Sequence, residues 1–196
     1  MRITDKFVFF YTKEDCFSQH SPHGIHYQGL YFPYAESWMM FHKARLMVLP
    51  EGSLTEDVKT YMAQHPKSIF EHILKAPTPQ RAKMLGANVA PWNQELWNDH
   101  CDEIVYYGNL LKFRQNPECK ASMIENGQRN YVEASSRDER WGVGLSENDP
   151  RINDPINWQG ENRLGNILNR VRDTILIEWG IKAPPIKCFE QGSEAN

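Results

Sequence analysis

The stretch from Phe32 to Val48 constrains the chain most, because it reads as a helix that is apolar almost all the way round. At about 100° per residue, Glu36, Met40, Lys43 and Met47 fall in one narrow stripe, while Tyr34, Trp38 and Phe41 lie on the opposite side. A helix of this kind belongs in a core, so Glu36 and Lys43 are two charges on an element that prefers to be buried. Burying a charge costs several kcal/mol unless it is paired and hydrogen-bonded. The helix itself offers no pairing, since ion pairs join residues three or four apart and these two stand two turns apart, roughly 10 Å along the axis. Long side chains at that spacing can lean toward one small molecule, which makes the stripe a candidate pocket wall. The alternative is that each charge finds a partner elsewhere or snorkels to solvent.

A length of 196 residues suffices for one domain with a substantial core, and 40% hydrophobic with 24% charged residues argues against wholesale disorder. The net charge of −3 gives no overall attraction to nucleic acid or to an anionic membrane, leaving only a local basic patch for such contacts. Six Trp and eight Tyr are either core filler or, for a few of them, a lining for flat ligands such as nucleobases. Cys16, Cys101, Cys119 and Cys188 are too scattered for a zinc pattern and too few for a disulfide scaffold, so reduced thiols in a cytoplasmic protein are expected. His20, His23 and His26 recur every third residue, but in a loop-to-strand region that spacing does not repeat one face, and no metal or other cofactor is expected. No stretch has the apolar length of a signal or a membrane span, so no membrane partner is expected.

Along the chain, Phe7–Tyr11 is rich in strand formers, and Ile25–Tyr27 and Leu30–Phe32 flank Gln28-Gly29 as a hairpin. Ser53-Leu-Thr-Glu56 has the form of a capping box opening a helix to Gln64, and Pro66 stands as a first-turn residue of a short helix through Ile69–Leu74. Thr78-Pro79 starts another helix, Asn93 the longest one, and Asn116-Pro117 stops it and begins the next. The pattern then changes to a strand at Asn130–Ala134, an irregular stretch from Ser146 to Gly160, and a last helix through Leu164, Leu168, Val171 and Ile175.

Between strand and glycine turn, Glu133–Gly142 gathers carboxylates, guanidiniums, hydroxyls and an indole, the kind of loop on which function concentrates. Arg137 and Arg140 suit forked hydrogen bonds to phosphate, and Trp141 suits stacking on a base. A solvated charged turn with Trp141 plugging the core explains the same residues. Asn162 and Arg163, at the start of the last helix, suit an anion site or an ordinary cap. Neither a nucleotide-binding glycine fingerprint nor a serine nucleophile elbow occurs, so a site here must be made of carboxylate, amine and aromatic groups.

Taken in order, these segments resemble the NADAR family, which includes the YbiA-like proteins. The resemblance rests on Phe9-Phe-Tyr11, Phe17-Ser-Gln-His20, Phe32-Pro-Tyr-Ala-Glu-Ser37 with Phe41-His-Lys-Ala44, and Thr78-Pro79 with Ala82-Lys-Met-Leu-Gly86. It continues through Trp92, Lys112–Pro117, Val132-Glu-Ala-Ser135, Asp138, Trp141-Gly142 and Trp158–Gly165. It implies a mainly helical α+β domain with short N-terminal strands and a small sheet over residues 1–180, followed by a loosely ordered tail at 181–196. It also implies an N-glycosidase, a hydrolase acting on the bond between ribose and a base. Some relatives cleave intermediates of riboflavin synthesis, and others remove ADP-ribose from guanine in nucleic acid. The Glu133-Ala-Ser and Trp141-Gly-Val-Gly144 forms look more like the second group, which makes an ADP-ribose-containing substrate, including ADP-ribosylated DNA or RNA, the expected partner. A non-catalytic reader of ADP-ribose or NAD is the remaining alternative. By this resemblance Glu36, Lys43 and Asp138 are the catalytic candidates. Trp141, Gly142, Glu133, Ser135, Arg137, Asn162 and Arg163 are the candidates for substrate binding. Ser37 and Gln19-His20 depart from the family pattern and bear on substrate choice.

Overall fold

A computed structural model describes residues 1–50 and 52–180 of the chain; the tail expected at 181–196 lies outside them. The first strands are β1 (Arg2–Ile3) and β2 (Phe7–Phe10), followed by the hairpin β3 (Ile25–Tyr27) and β4 (Leu30–Phe32). Six helices come next: α1 (Ala35–Val48), α2 (Thr55–Gln64), α3 (Ile69–Leu74), α4 (Pro79–Ala87), α5 (Gln94–Gln115) and α6 (Pro117–Glu125). The chain then returns as β5 (Asn130–Glu133), passes through two short 3-10 turns at Pro150–Asn153 and Pro155–Asn157, and ends in α7 (Arg163–Glu178). This is the mainly helical α+β architecture with short strands that the sequence implies. In the sheet β1-β2-β5, β1 pairs antiparallel to β2 and β2 parallel to β5, with Phe9 opposite Val132 and Phe10 opposite Glu133. The β3–β4 hairpin turns through Gln28 and Gly29, whose φ values of 46° and 77° are those of a tight turn that matches the strand twist.

Helix α1 is the central rod. Its Trp38 and Phe41 pack with Phe32 in the main core, and the Trp38 indole N–H donates to the Ile104 carbonyl at 2.8 Å. Two glycines let neighbouring helices come this close. A Cβ on Gly108 of α5 would stand 2.4 Å from Trp38, and one on Gly86 of α4 would stand 2.0 Å from the Met40 sulfur. The first-turn amide of Glu36 donates to the Gln19 carbonyl at 3.0 Å, and the Gln19 side chain donates to Asn109 of α5 at 3.0 Å. The segment between β2 and β3 is thereby tied to both helices.

Strand alternation splits the sheet between two cores. Val8, Phe10 and Tyr131 join the main one, while Phe7, Phe9, Val132 and Ala134 pack with Val143, Leu145, Ile152 and Trp158. The second core holds the irregular stretch after β5 against the sheet.

Helix starts follow local chemistry with two shifts. Thr78 and Asn93 cap as expected, accepting the amides of Arg81 and Leu96. Helix α2 begins one residue later than the Ser53 capping box implies. Asp57, not Glu56, takes the Leu54 amide at 2.6 Å, and Ser53 instead donates to the Pro50 carbonyl. Pro66 precedes α3 rather than entering it, because Lys67 at φ 69° turns the chain before Ser68 starts the helix.

Asn162 is the strut between β5 and α7. With φ 51° and almost no exposure, its side-chain oxygen accepts the Glu133 amide at 3.1 Å while its amide donates to the Tyr131 carbonyl at 3.0 Å. Asn162→Ala strands both backbone groups and removes the polar side chain that makes the left-handed region tolerable for Asn, so a loss of about 2–4 kcal/mol is expected in urea denaturation. Asn162→Gly tolerates the backbone and is expected to lose less.

Candidate active site

The apolar rod and the strand ends enclose a cavity of about 680 Å³, a size that holds a whole small ligand. Glu36, Met39, Met40 and Lys43 of α1 form one wall. Glu133, Ser135, Arg137, Asp138 and Trp141, continuing from β5, form the facing one. The segment after β2 adds Ser18, Gln19 and His20, and α4 adds Lys83. Glu36, Met40 and Lys43 of the stripe thus face a cavity while Met47 packs in the core, and Trp38 and Phe41 on the opposite side face the core as well.

Glu36 is 4% exposed, and its Oε1 is sealed without a hydrogen-bond partner. Burial pushes its pKa up to about 7; Lys83 and Lys43 pull the other way, and Asp138 adds to the rise. His20 Nε2 stands 3.8 Å from Glu36 Oε2, too far for a hydrogen bond. Burial and Lys83 both hold the imidazole pKa below its ordinary value, so this contact is not an ion pair at neutral pH. Glu133 has the same character. Its Oε2 is sealed and unpartnered, and burial, then Asp138 and Glu36, raise its pKa to about 8. Two carboxyls with raised pKa values face one space, and each opposes the ionisation of the other.

Lys43 completes the pair predicted from the rod. Burial lowers its pKa and Glu36 opposes that shift. Its Nζ lies 4.4 Å from the centre of the exposed Trp92 ring and 5.5 Å from that of buried Trp97, an aromatic seat for a cation. Asp138 divides its two oxygens. Oδ1 accepts the amides of Arg140 at 3.1 Å and Trp141 at 2.8 Å, fixing the turn, while Oδ2 is 3.9 Å from the largely exposed Lys83 Nζ. Two guanidiniums lie near the Trp141 ring, Arg140 at 5.9 Å and Arg163 at 5.7 Å from its centre, and both donate to the Cys101 sulfur.

Three of the expected binding residues do not line the cavity. Gly142 is a packing position, where a Cβ would come within 2.9 Å of the Asp138 and Glu133 carbonyl oxygens. Asn162 spends its side chain on β5, and Arg163 is held by Asp102 at 2.9 Å and Glu161 at 3.7 Å. Conversely, Lys83 and His20 stand at the cavity without having been singled out as site residues. Lys83 lies within Ala82-Lys-Met-Leu-Gly86, but nothing in its local spacing points across to Asp138.

The NADAR domain profile matches residues 8–176. The chain belongs to the NADAR family. It is 32% identical to N-glycosidase R617 of Acanthamoeba polyphaga mimivirus, an alignment covering 87% of this chain and 96% of that protein. It is 30% identical to Protein irg-1 of Caenorhabditis elegans over 98% of this chain and 91% of that one. N-glycosidase Npun_R5314 of Nostoc punctiforme is 27% identical over 82% and 85% of the two chains. In fold this NADAR domain matches the NMR structure of the E. coli protein YbiA, with a TM-score of 0.65 at 20% identity over 91% of this chain and 89% of that one. Among the described residues no helix is long and apolar enough to cross a membrane.

The Glu36 pKa sets a sign for stability against pH. The folded value of about 7 exceeds the ordinary 4.5, so the native state holds a proton that the unfolded state releases between those values. The associated stability is fully present below about 4.5 and is lost as pH rises through about 7. Glu36→Gln removes this slope. The variant should match the wild type near pH 4.5 and exceed it by about 2–3 kcal/mol at pH 8 in paired denaturation curves.

Proposed function

We propose that this NADAR protein is an N-glycosidase that hydrolyses the bond between ribose and a base, and that its substrate is ADP-ribosylated guanine in nucleic acid. The observation that carries the proposal is the sealed, unpartnered Glu36 carboxyl sharing one cavity with Lys43. A buried carboxyl without a partner is costly in a module that only binds, and useful where positive charge develops. The names of the mimivirus and Nostoc relatives support the same chemistry.

Breaking an N-glycosidic bond leaves oxocarbenium-like charge on the sugar and an electron pair on the departing base. Ionised Glu36 stabilises that charge and accepts a proton from the attacking water. Glu133, held protonated to about pH 8, donates its proton to the leaving base. Asp138 positions the turn and the sugar, and Trp141 offers a face for a base. The lowered pKa of Lys43 favours a second route to the same products. In it the free amine displaces the base at the anomeric carbon, the base leaving with its bonding electrons and a proton from the amine; the ring C–O bond then breaks, the ring oxygen taking the nitrogen's remaining proton as the imine forms, and water hydrolyses that imine. Exposed Lys83 and Arg137 at the cavity suit a pyrophosphate, as expected for ADP-ribose. With a net charge of −3 the protein would grip nucleic acid through the ADP-ribose or an extruded base rather than through the duplex.

Base release and binding heat are to be followed with ADP-ribosylated guanine DNA, a ribosylaminopyrimidine phosphate and free ADP-ribose. Release from the first alone is expected. Release from the aminopyrimidine alone would overturn the substrate, and binding without release anywhere would overturn the glycosidase. Glu36→Gln is expected to lower kcat by about a thousandfold or more with binding retained. Borohydride trapping on Lys43 separates the two routes.

The acid and base assignments also predict a bell-shaped rate profile, rising as Glu36 ionises near pH 7 and falling as Glu133 loses its proton near pH 8. In Glu133→Gln the fall above pH 8 should disappear along with most of the rate.

A further inference from the structure

Away from the cavity, the fold gathers three side chains that the proposed glycosidase chemistry does not use. His23 lies in the segment between β2 and β3, and Glu118 and Cys119 open α6. None of them lines the cavity. We propose that His23, Glu118 and Cys119, with water as the fourth ligand, form a site for one divalent metal ion of the zinc class, which clips that segment to α6.

Ligating atoms of His23, Glu118 and Cys119 all lie within 4.8 Å of one another. His23 Nε2 and Glu118 Oε1 are 3.5 Å apart, too long for a hydrogen bond. Two nitrogen or oxygen ligands at about 2.1 Å from a tetrahedral ion stand about 3.4 Å apart, so the observed separation is the edge of such a tetrahedron. The other His23 nitrogen, Nδ1, is sealed and unpartnered, so no hydrogen bond has to be broken to turn the ring.

The donor set selects the ion. Soft sulfur with imidazole and one carboxylate favours zinc-class ions over magnesium or calcium, and binding displaces the Cys119 thiol proton to solvent.

The site is also held in place without the ion. The Gln115 side chain accepts the His26 amide at 2.7 Å and donates to the His26 carbonyl at 2.9 Å, and Asn116 donates to the Gly24 carbonyl at 3.0 Å. These bonds fix the His23 end of the segment against the start of α6.

The test uses the full chain, reduced, freed of metal by chelation, and titrated with Co2+ as a spectroscopic stand-in. Expected are one-to-one uptake with a thiolate-to-cobalt charge-transfer band and tetrahedral visible bands, displacement by Zn2+, and a melting temperature raised by Zn2+. His23→Ala and Cys119→Ser should each weaken uptake at least tenfold, while Cys101→Ser should leave it unchanged. Because Cys119 is buried, the half-buried His23→Ala variant, checked for folding by circular dichroism, is the deciding one. Absence of the thiolate band in the wild type, or a band of unchanged affinity in folded His23→Ala, overturns the proposal. Each readout is independent of glycosidase activity.

Discussion

A carboxyl group placed inside a hydrophobic rod is the constraint on which the arrangement depends. Glu36 sits in the first turn of α1, where an acidic side chain also meets the positive end of the helix dipole. That dipole does not remove the desolvation cost, as the raised pKa records. What holds the group in place is the rest of the rod. Trp38 is locked against α5 at Gly108 and Met40 against α4 at Gly86, where the helices approach too closely for any larger residue, and Phe41 packs on Phe32 and Phe70. The helix cannot rotate to bring Glu36 into water without withdrawing those side chains from the core.

The facing wall is built by a different device. Glu133 ends β5, and the chain beyond it is irregular, so backbone bonding rather than helix packing fixes its course. The Glu133 carbonyl accepts the Val143 amide at 3.0 Å, Asn162 takes the Glu133 amide, and Asp138 caps its own turn. Gly142 lets two carbonyl oxygens crowd together beneath the loop. Glu133 is therefore carried on a frame whose polar backbone is satisfied in part by the Asp138 carboxylate, leaving its own Oε2 without a partner.

What could be read from the sequence is what is local. The amphipathic conflict on α1, the caps at Thr78 and Asn93, the break at Asn116-Pro117 and the Gln28-Gly29 turn each involve residues a few positions apart. The misplaced cap at Ser53 shows the margin: Asp57 competes with Glu56 for the same role one residue later, and only the geometry decides. Long-range relations left no such trace. Lys83 meets Asp138 from a distant helix, Asn162 braces a strand that precedes it by a long irregular stretch, and His23 meets Glu118 across nearly half the chain. Asn162 and Arg163 read as an anion site because the start of a helix offers free amides, yet their side chains are already spent on β5 and on Asp102.

The parallel pairing of β2 with β5 has a consequence for how the molecule comes into being. Phe10 and Glu133 are neighbours in the sheet, and the two chains that leave those strand ends supply separate parts of the cavity. Everything from the hairpin to α6 is threaded between them, so the partner strand does not exist until most of the polypeptide has been synthesised. A nascent chain can collapse its helices early, but the enclosure comes together only at the late closure of that long loop. Acquisition of a competent pocket and completion of the sheet are, in this topology, one event.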